Sequence, residues 1–203
     1  MTYSSGGLIE ATDYNTFVAN VSGNCINNVY GTAQSGNAAS DLGWGQSNIA
    51  NVSASSTVTA TQWATAINTL NTISTHQSGS GTGIGAPTSG SLATYLSTLS
   101  SSITTINTNK LNFATQGSTV TGSSFAASFS ATNNTTYGPA TFATRTATFT
   151  SGDAARYFFN AGGQLAISIS HPSGLPMDRM LHTLAASVGT IVISSPNSGS
   201  VDI

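Results

Sequence analysis

The sequence has 203 residues, and only 5% of them are charged, against roughly 25% in an ordinary soluble domain. Four basic and six acidic side chains give a formal net charge of −2. Nucleic-acid binding needs clustered lysine and arginine to displace counterions from phosphates, so this composition excludes it. A surface made of Ser, Thr, Asn, Gln and Gly suits a protein whose faces are covered by neighbours.

Leu, Ile, Val and Phe together make up about a fifth of the chain, near the lower limit for a packed globule. This favours an ordered protein with thin cores that are stabilised by oligomerisation, and the alternative is a partly disordered Ser/Thr-rich linker protein. Cys25 stands alone, which excludes an internal disulfide, and it is expected to be buried. No signal peptide or membrane span is evident, which indicates assembly in a cytoplasm.

Helical periodicity begins near the N-terminus. Apolar residues recur at three- and four-residue steps and predict an amphipathic helix over residues 12–30. They are Tyr14, Val18, Val21, Cys25 and Val29. Residues 31–60 are predicted to form a loop anchored by a buried Trp44, with a short strand near 49–58.

A second helix is predicted over residues 61–76, with Trp63, Ile67, Leu70 and Ile73 on its apolar face. The six residues before and into it, Val-Thr-Ala-Thr-Gln-Trp, parallel Ile-Glu-Ala-Thr-Asp-Tyr at the start of the first helix. This pattern indicates a short internal duplication of a helix-start motif. The Gly/Ser-rich residues 77–90 are interpreted as a flexible connector, not a phosphate-binding loop, because they contain no lysine.

The clearest periodic signal is a heptad-like seam that alternates steps of four and three residues. It consists of Leu92, Leu96, Leu99, Ile103 and Ile106. The seam either packs inside a bundle with the two earlier helices, which we favour, or associates with another copy.

After Leu111 the pattern changes to a period of two, which is typical of strands. Residues 154–170 are predicted to be a β-hairpin, in which Arg156-Tyr157-Phe158-Phe159 turns through Asn160-Ala161-Gly162-Gly163 into an alternating second arm. A short helix over 177–188 and a last strand over 190–194 are predicted to follow. The predicted fold is α+β, with a small bundle of amphipathic helices (1–115) followed by an antiparallel β-module (116–203).

Titratable residues are few, and the sequence indicates no enzyme, catalytic residue, metal site or cofactor. The densest cluster consists of His171, Asp178, Arg179 and His182, and is interpreted as a helix start with a satisfied histidine. Arg156 is expected to pair with Asp153; the alternative is a subunit or sugar contact beside Tyr157.

Four segments resemble virion structural proteins of tailed phages, including phages that infect cyanobacteria. These are residues 7–17, 43–46, 59–63 and 156–163. The resemblance implies a non-enzymatic subunit of the particle, associated with its tail, neck or fibre and present in several symmetric copies. It implies partnership with other virion proteins and with copies of itself, without nucleic acid or membrane.

Two alternatives to this role remain open, a capsid decoration protein and a receptor- or glycan-binding module that uses Tyr157 or Trp44. The residues expected at an interface between copies or with partners are those of the seam together with Arg156 and Tyr157. These are Leu92, Leu96, Leu99, Ile103, Ile106, Arg156 and Tyr157.

Overall fold

The computed structural model describes residues 10–20, 23–32, 43–89, 96–114, 148–168, 183 and 186–194. These residues form helices and one small antiparallel sheet, so the chain is α+β as its pattern predicted. In chain order the elements are α1 (Ala11–Ala19), α2 (Asn27–Tyr30), α3 (Ala60–Ser78), α4 (Leu96–Thr108), α5 (Gly152–Asn160), β1 (Leu165–Ser168) and β2 (Thr190–Ile193). Helices α1 to α4 contribute to one hydrophobic core.

The first predicted helix is wrong in its extent, because α1 ends at Ala19 and α2 begins only at Asn27. Asn20 is extended, and the chain folds back so that the amide of Ile26 donates to the carbonyl of Phe17 at 3.0 Å. Asn and Gly have low helix propensity, so the break costs little. Cys25 and Ile26, which precede α2, are both fully buried.

The second predicted helix is confirmed as α3, and its four predicted apolar side chains are buried. Both α1 and α3 begin at the alanine of the duplicated motif and carry a capping box at the residue before it. At α3 the Thr59 amide donates to Oε1 of Gln62 at 2.8 Å. The aromatic residues that close the two motifs, Tyr14 and Trp63, meet edge to face with centroids 5.1 Å apart.

The seam lies on α4, and its described residues face the chain's own core. Leu96, Leu99, Ile103 and Ile106 are all buried, and α4 packs mainly on α3. Leu92 lies outside the described residues. These four side chains therefore pack within the chain, as the sequence analysis favoured.

Three asparagines fix the connecting segments by bonding a loop backbone through both amide atoms; we call them the asparagine clamps. Asn15 bonds the N–H and C=O of Val52, and Asn27 bonds those of Ile49, all at 2.8–2.9 Å. The predicted strand at 49–58 is absent because these side chains, not a neighbouring strand, satisfy the backbone there.

The third clamp lies on α3 and holds the segment predicted to be a flexible connector. Asn71 accepts from the Thr82 amide at 2.9 Å and donates to the Ile84 carbonyl at 2.9 Å. Ile84 is only 8% exposed and belongs to the core. Residues 79–85 are therefore fixed against α3, which corrects the sequence interpretation.

The predicted hairpin is also corrected, because its first arm is the helix α5. The hydroxyl of Ser151 accepts from the Ala154 amide at 3.0 Å and caps this helix, whose first turn carries Asp153. The aromatic run that suggested a strand is preceded by two alanines, the best helix formers. The second arm is β1, as predicted.

Strand β1 pairs with β2 rather than with residues 154–160. The two strands are antiparallel, with Leu165 opposite Ile193 and Ile167 opposite Ile191. The predicted last strand is thereby confirmed. The predicted strands between residues 115 and 147, and most of the predicted helix at 177–188, lie outside the described residues.

Candidate functional site

The predicted interface residues fall in two places. Those described on α4 are buried in the helical core, whereas Arg156 and Tyr157 lie half-buried on α5. The His171, Asp178, Arg179 and His182 cluster lies outside the described residues. Of the predicted interface residues that the structure describes, only Arg156 and Tyr157 are accessible, and both lie on α5.

Helix α5 is attached to the helical core at a contact that we call the α5 junction: residues 43–45, His76 and residues 156–161. Asn160 donates its side-chain amide to the carbonyl of Gly43 at 3.2 Å. Nε2 of His76 lies 3.0 Å from the carbonyl oxygen of Ala161, so this nitrogen carries the proton and donates. Both bonds connect segments more than 80 residues apart.

Trp44 fills the middle of the α5 junction. Its ring meets His76 edge-on with centroids 4.5 Å apart, and Tyr30 packs at 6.5 Å. The indole N–H is inaccessible to solvent and has no hydrogen-bond partner among the residues that the structure describes. The prediction of a buried anchor is confirmed in part, since Trp44 packs against the core but its side chain is only half-buried.

Arg156 forms the predicted ion pair with Asp153 at 3.0 Å, one turn away on α5. Its guanidinium also lies 4.9 Å from the centroid of the Tyr157 ring, a cation–π distance. The carboxylate is 71% exposed, so the pair contributes little to stability. Its effect is to orient Arg156 along the surface of α5.

Gly45 sets how closely Tyr157 approaches the loop. Its φ is +72°, and a Cβ there would overlap the Tyr157 ring, with Cγ only 2.8 Å away. Gly83 has a similar φ of +78° but open space around it. The two glycines share the same backbone requirement and differ in the aromatic contact.

Gly45→Ala is expected to destabilise the protein by about 2–4 kcal/mol, since it adds left-handed strain and displaces the Tyr157 ring. Gly83→Ala is the matched control, with the strain alone at about 1 kcal/mol. Denaturant unfolding followed by tryptophan fluorescence measures both. Equal losses for the two variants would show that the Tyr157 contact adds nothing.

The ionisable groups at the α5 junction are the His76 imidazole, the Tyr157 phenol and the Arg156 guanidinium, which pairs with Asp153 next to the junction. Among the described residues, no group of three or more His, Cys, Asp or Glu side chains could hold a metal. A cleft of about 110 Å³ between α3 and α4 is lined mostly by hydroxyl and amide groups. Ligand pockets measure roughly 300–1,000 Å³, so this cleft is too small for most organic ligands.

Burial raises the pKa of two side chains in the helical core, the thiol of Cys25 and the phenol of Tyr14. Burial raises the pKa of the Cys25 thiol from its ordinary value of 9.0, outweighing backbone hydrogen bonds that lower it. Burial likewise raises the pKa of Tyr14 from 10.0. A thiol held protonated in this way is a poor nucleophile.

The free energy of unfolding is expected to fall as the pH rises above about 9, where the Cys25 thiol of the unfolded chain ionises, and further above about 10, where Tyr14 of the unfolded chain ionises. Each group contributes at most about 1.4 kcal/mol per pH unit. The thiol ionises at its ordinary pKa in the unfolded chain but stays protonated in the folded protein. Its contribution to the free energy of unfolding is therefore fully present below that pH and declines above it. Melting temperatures at pH 7 and pH 10 test this. Cys25→Ala should flatten the decline, and an unchanged slope would contradict the role of the thiol.

The second accessible feature is the β1–β2 pair, which we call the β-ribbon. Residues of alternate positions share a face, so Leu165, Ile167, Ile191 and Ile193 form one aliphatic surface. The three isoleucines are 47%, 41% and 46% exposed. Both strands were predicted from the sequence, but the exposure of this face was not. Alternation shows that the residues share a face and does not show whether that face is buried.

The residues that complete the α5 junction, His76 and Asn160, were also missed. Each donates a hydrogen bond to a backbone carbonyl that is distant in sequence, and the sequence does not show such a contact. Among the described helices, none is long and apolar enough to cross a membrane. Comparison with protein families, curated proteins and solved structures found no match to this chain.

Proposed function

We propose that this chain is a non-enzymatic structural subunit of a tailed-phage virion, present in several symmetric copies and associated with the tail, neck or fibre. The observation that carries the proposal is the small number of charged side chains on the protein. The described residues include only five charged side chains: Glu10, Asp13, Lys110, Asp153 and Arg156. Such a surface repels other copies weakly, which favours close packing in an assembly.

Within this proposal the helical region docks into the particle and a C-terminal β-module is presented outward. Helices α1 to α4 bury apolar side chains in one common core, which supports a compact docking unit. The two-stranded β-ribbon supports the module only in part, because an isolated pair of strands is marginally stable in water. A larger sheet, formed with further strands or with neighbouring subunits, would make the module stable.

Purified particles of a phage that encodes the chain provide the test. Quantitative mass spectrometry is expected to find it at a fixed copy number that matches the symmetry of a tail, neck or fibre. Cryo-electron microscopy at side-chain resolution should then locate α3 and α4 in the density. A copy number that follows the shell lattice would instead identify a capsid decoration protein, and absence from the particle would refute the proposal.

Glycan binding is a second candidate, favoured by Tyr157, whose ring lies against Gly45, the residue that follows the half-buried Trp44. Aromatic faces beside amide groups are typical of sugar platforms, and Asn160 adjoins them. Saturable binding of the purified protein to host-surface polysaccharide would support this role. Tyr157→Ala should then abolish binding, whereas Phe158→Ala on the same helix should leave it unchanged.

A further inference from the structure

We propose that α5 is a latch, a helix that releases from the helical core as a unit while α1 to α4 stay folded. The inference goes beyond the proposed function and does not depend on it, since it concerns how two parts of one chain are joined. Three observations support it: the low burial of α5, the contacts that hold it, and the state of two nitrogen atoms at the α5 junction.

Helix α5 contributes no side chain to the hydrophobic core. None of the residues Gly152–Asn160 is buried, and Phe158 is 37% exposed. Helix α3 instead buries six side chains, of which Ile67, Leu70 and Ile73 are 0% exposed. Burial of apolar area is the main favourable term in folding. Release of α5 therefore leaves most of the stabilisation of α1 to α4 in place.

The contacts that hold α5 at the junction are only partly buried. They include hydrogen bonds donated by His76 at 3.0 Å and by Asn160 at 3.2 Å. The ring of Tyr157, which is half-buried, packs against Gly45 beside them. Water can replace the partners of both hydrogen bonds when α5 releases, so the net contribution of these bonds to docking is small.

Two buried nitrogen atoms at the α5 junction have no hydrogen-bond partner. They are Nε1 of Trp44 and Nε of Arg156, and no other buried side-chain nitrogen or oxygen of the described residues is in this state. A buried donor without a partner bears its full desolvation cost, which exceeds the net gain from a typical hydrogen bond. Because release of α5 admits water to the junction, it relieves this cost. The docked arrangement is therefore weakened at the surface where α5 separates.

Release of α5 changes what the protein presents to solvent. The rings of Trp44 and Tyr157, which pack within the junction, become accessible. Residues 148–168 can then change position relative to the helical core, although α1 to α4 keep their structure. The chain thereby has two arrangements, and any ligand that binds one of them better shifts the balance between them.

Hydrogen exchange of the full-length chain, followed by mass spectrometry of its peptides, tests the latch. After correction for intrinsic rates, the amides of α5 are expected to exchange at least about 100-fold faster than those of residues 63–73 in α3. Equal protection of the two helices would overturn the inference, because α5 would then open only when the core unfolds.

A substitution on α3 distinguishes release of the whole helix from fraying of its ends. His76→Ala removes a hydrogen bond to α5 from the core side, and should speed exchange throughout α5 about fivefold without changing residues 63–73. Thr72→Ala, at an exposed position of the same helix, is the matched control and should change neither. If α5 only frayed, His76→Ala would not alter its exchange. If α5 and α3 opened together, both would exchange faster by the same factor, and either result would overturn the inference.

Trp44→Phe tests the unpartnered indole nitrogen. It keeps an aromatic ring at the junction but removes the buried N–H, so exchange of α5 should slow about threefold or more. Trp63→Phe makes the same change inside the core and should not slow exchange of α5. Circular dichroism confirms that each variant is folded. Unchanged or faster exchange of α5 in Trp44→Phe would overturn the inference, because the buried N–H would then not be what weakens the junction.

Discussion

Trp63→Ala is expected to lower the free energy of unfolding by about 3–5 kcal/mol, enough to unfold a protein with thin cores at ambient temperature. Trp63 is 5% exposed and packs against Tyr14 and Phe17, with ring centroids 5.1 and 5.9 Å apart. It joins α1 to α3 at the point where the duplicated motifs meet. Urea unfolding followed by far-ultraviolet circular dichroism measures the loss.

Phe158→Ala is the control for this experiment. Phe158 is also aromatic but is 37% exposed on α5, and its removal should cost only about 1 kcal/mol. If Trp63→Ala were no more destabilising than Phe158→Ala, the core assigned to α1 and α3 would be wrong. The comparison therefore tests the fold rather than the general effect of removing an aromatic ring.

Asn27→Ala is expected to destabilise the protein by about 2–4 kcal/mol, because it deprives two backbone groups of Ile49 of their partners. The Asn27 side chain is 1% exposed, so water does not easily replace it. Asn48→Ala is the matched control: Asn48 also bonds a backbone amide, that of Thr32, but is exposed. It should cost less than about 1 kcal/mol. Thermal unfolding distinguishes the two, and equal effects would contradict the clamp.

Asn27→Asp tests the same clamp in a second way. The carboxylate can accept from the Ile49 amide but cannot donate to the Ile49 carbonyl, and its burial raises its pKa. Protonation restores a donor, so this variant should gain stability relative to the unaltered protein as the pH falls from 7 to 4. A variant whose deficit is the same at both pH values would show that the donor does not matter.

Periodicity was sufficient to predict the long helices. The stripe on α3 and the seam on α4 predicted which side chains are buried, since a regular helix brings every third and fourth residue to one face. The strands β1 and β2 were also predicted, β1 from the alternation of apolar and polar residues in the second arm of the proposed hairpin. These elements depend on local pattern, and local pattern is visible in the sequence.

The predictions that were wrong failed for two reasons: contacts between distant residues, and a local helix signal that outweighed strand propensity. The strand expected near Ile49 is absent because Asn27, 22 residues away, occupies its backbone groups. The first arm of the hairpin is α5, because the Ser151 cap and the alanines outweigh the strand propensity of Tyr157 and the two phenylalanines. The α5 junction could not be predicted, since His76 and Asn160 each contact a carbonyl far away in sequence.

The asparagine clamps have a consequence for the conditions under which the protein can work. They fix the loops through neutral amides, and the ion pair on α5 joins residues only one turn apart. Salt screens interactions between exposed charges over about 10 Å at 0.1 M, but it does not weaken a hydrogen bond between an amide and a buried backbone group. The tertiary structure of the helical region should therefore hold equally well in fresh water and in brine, without relying on counterions.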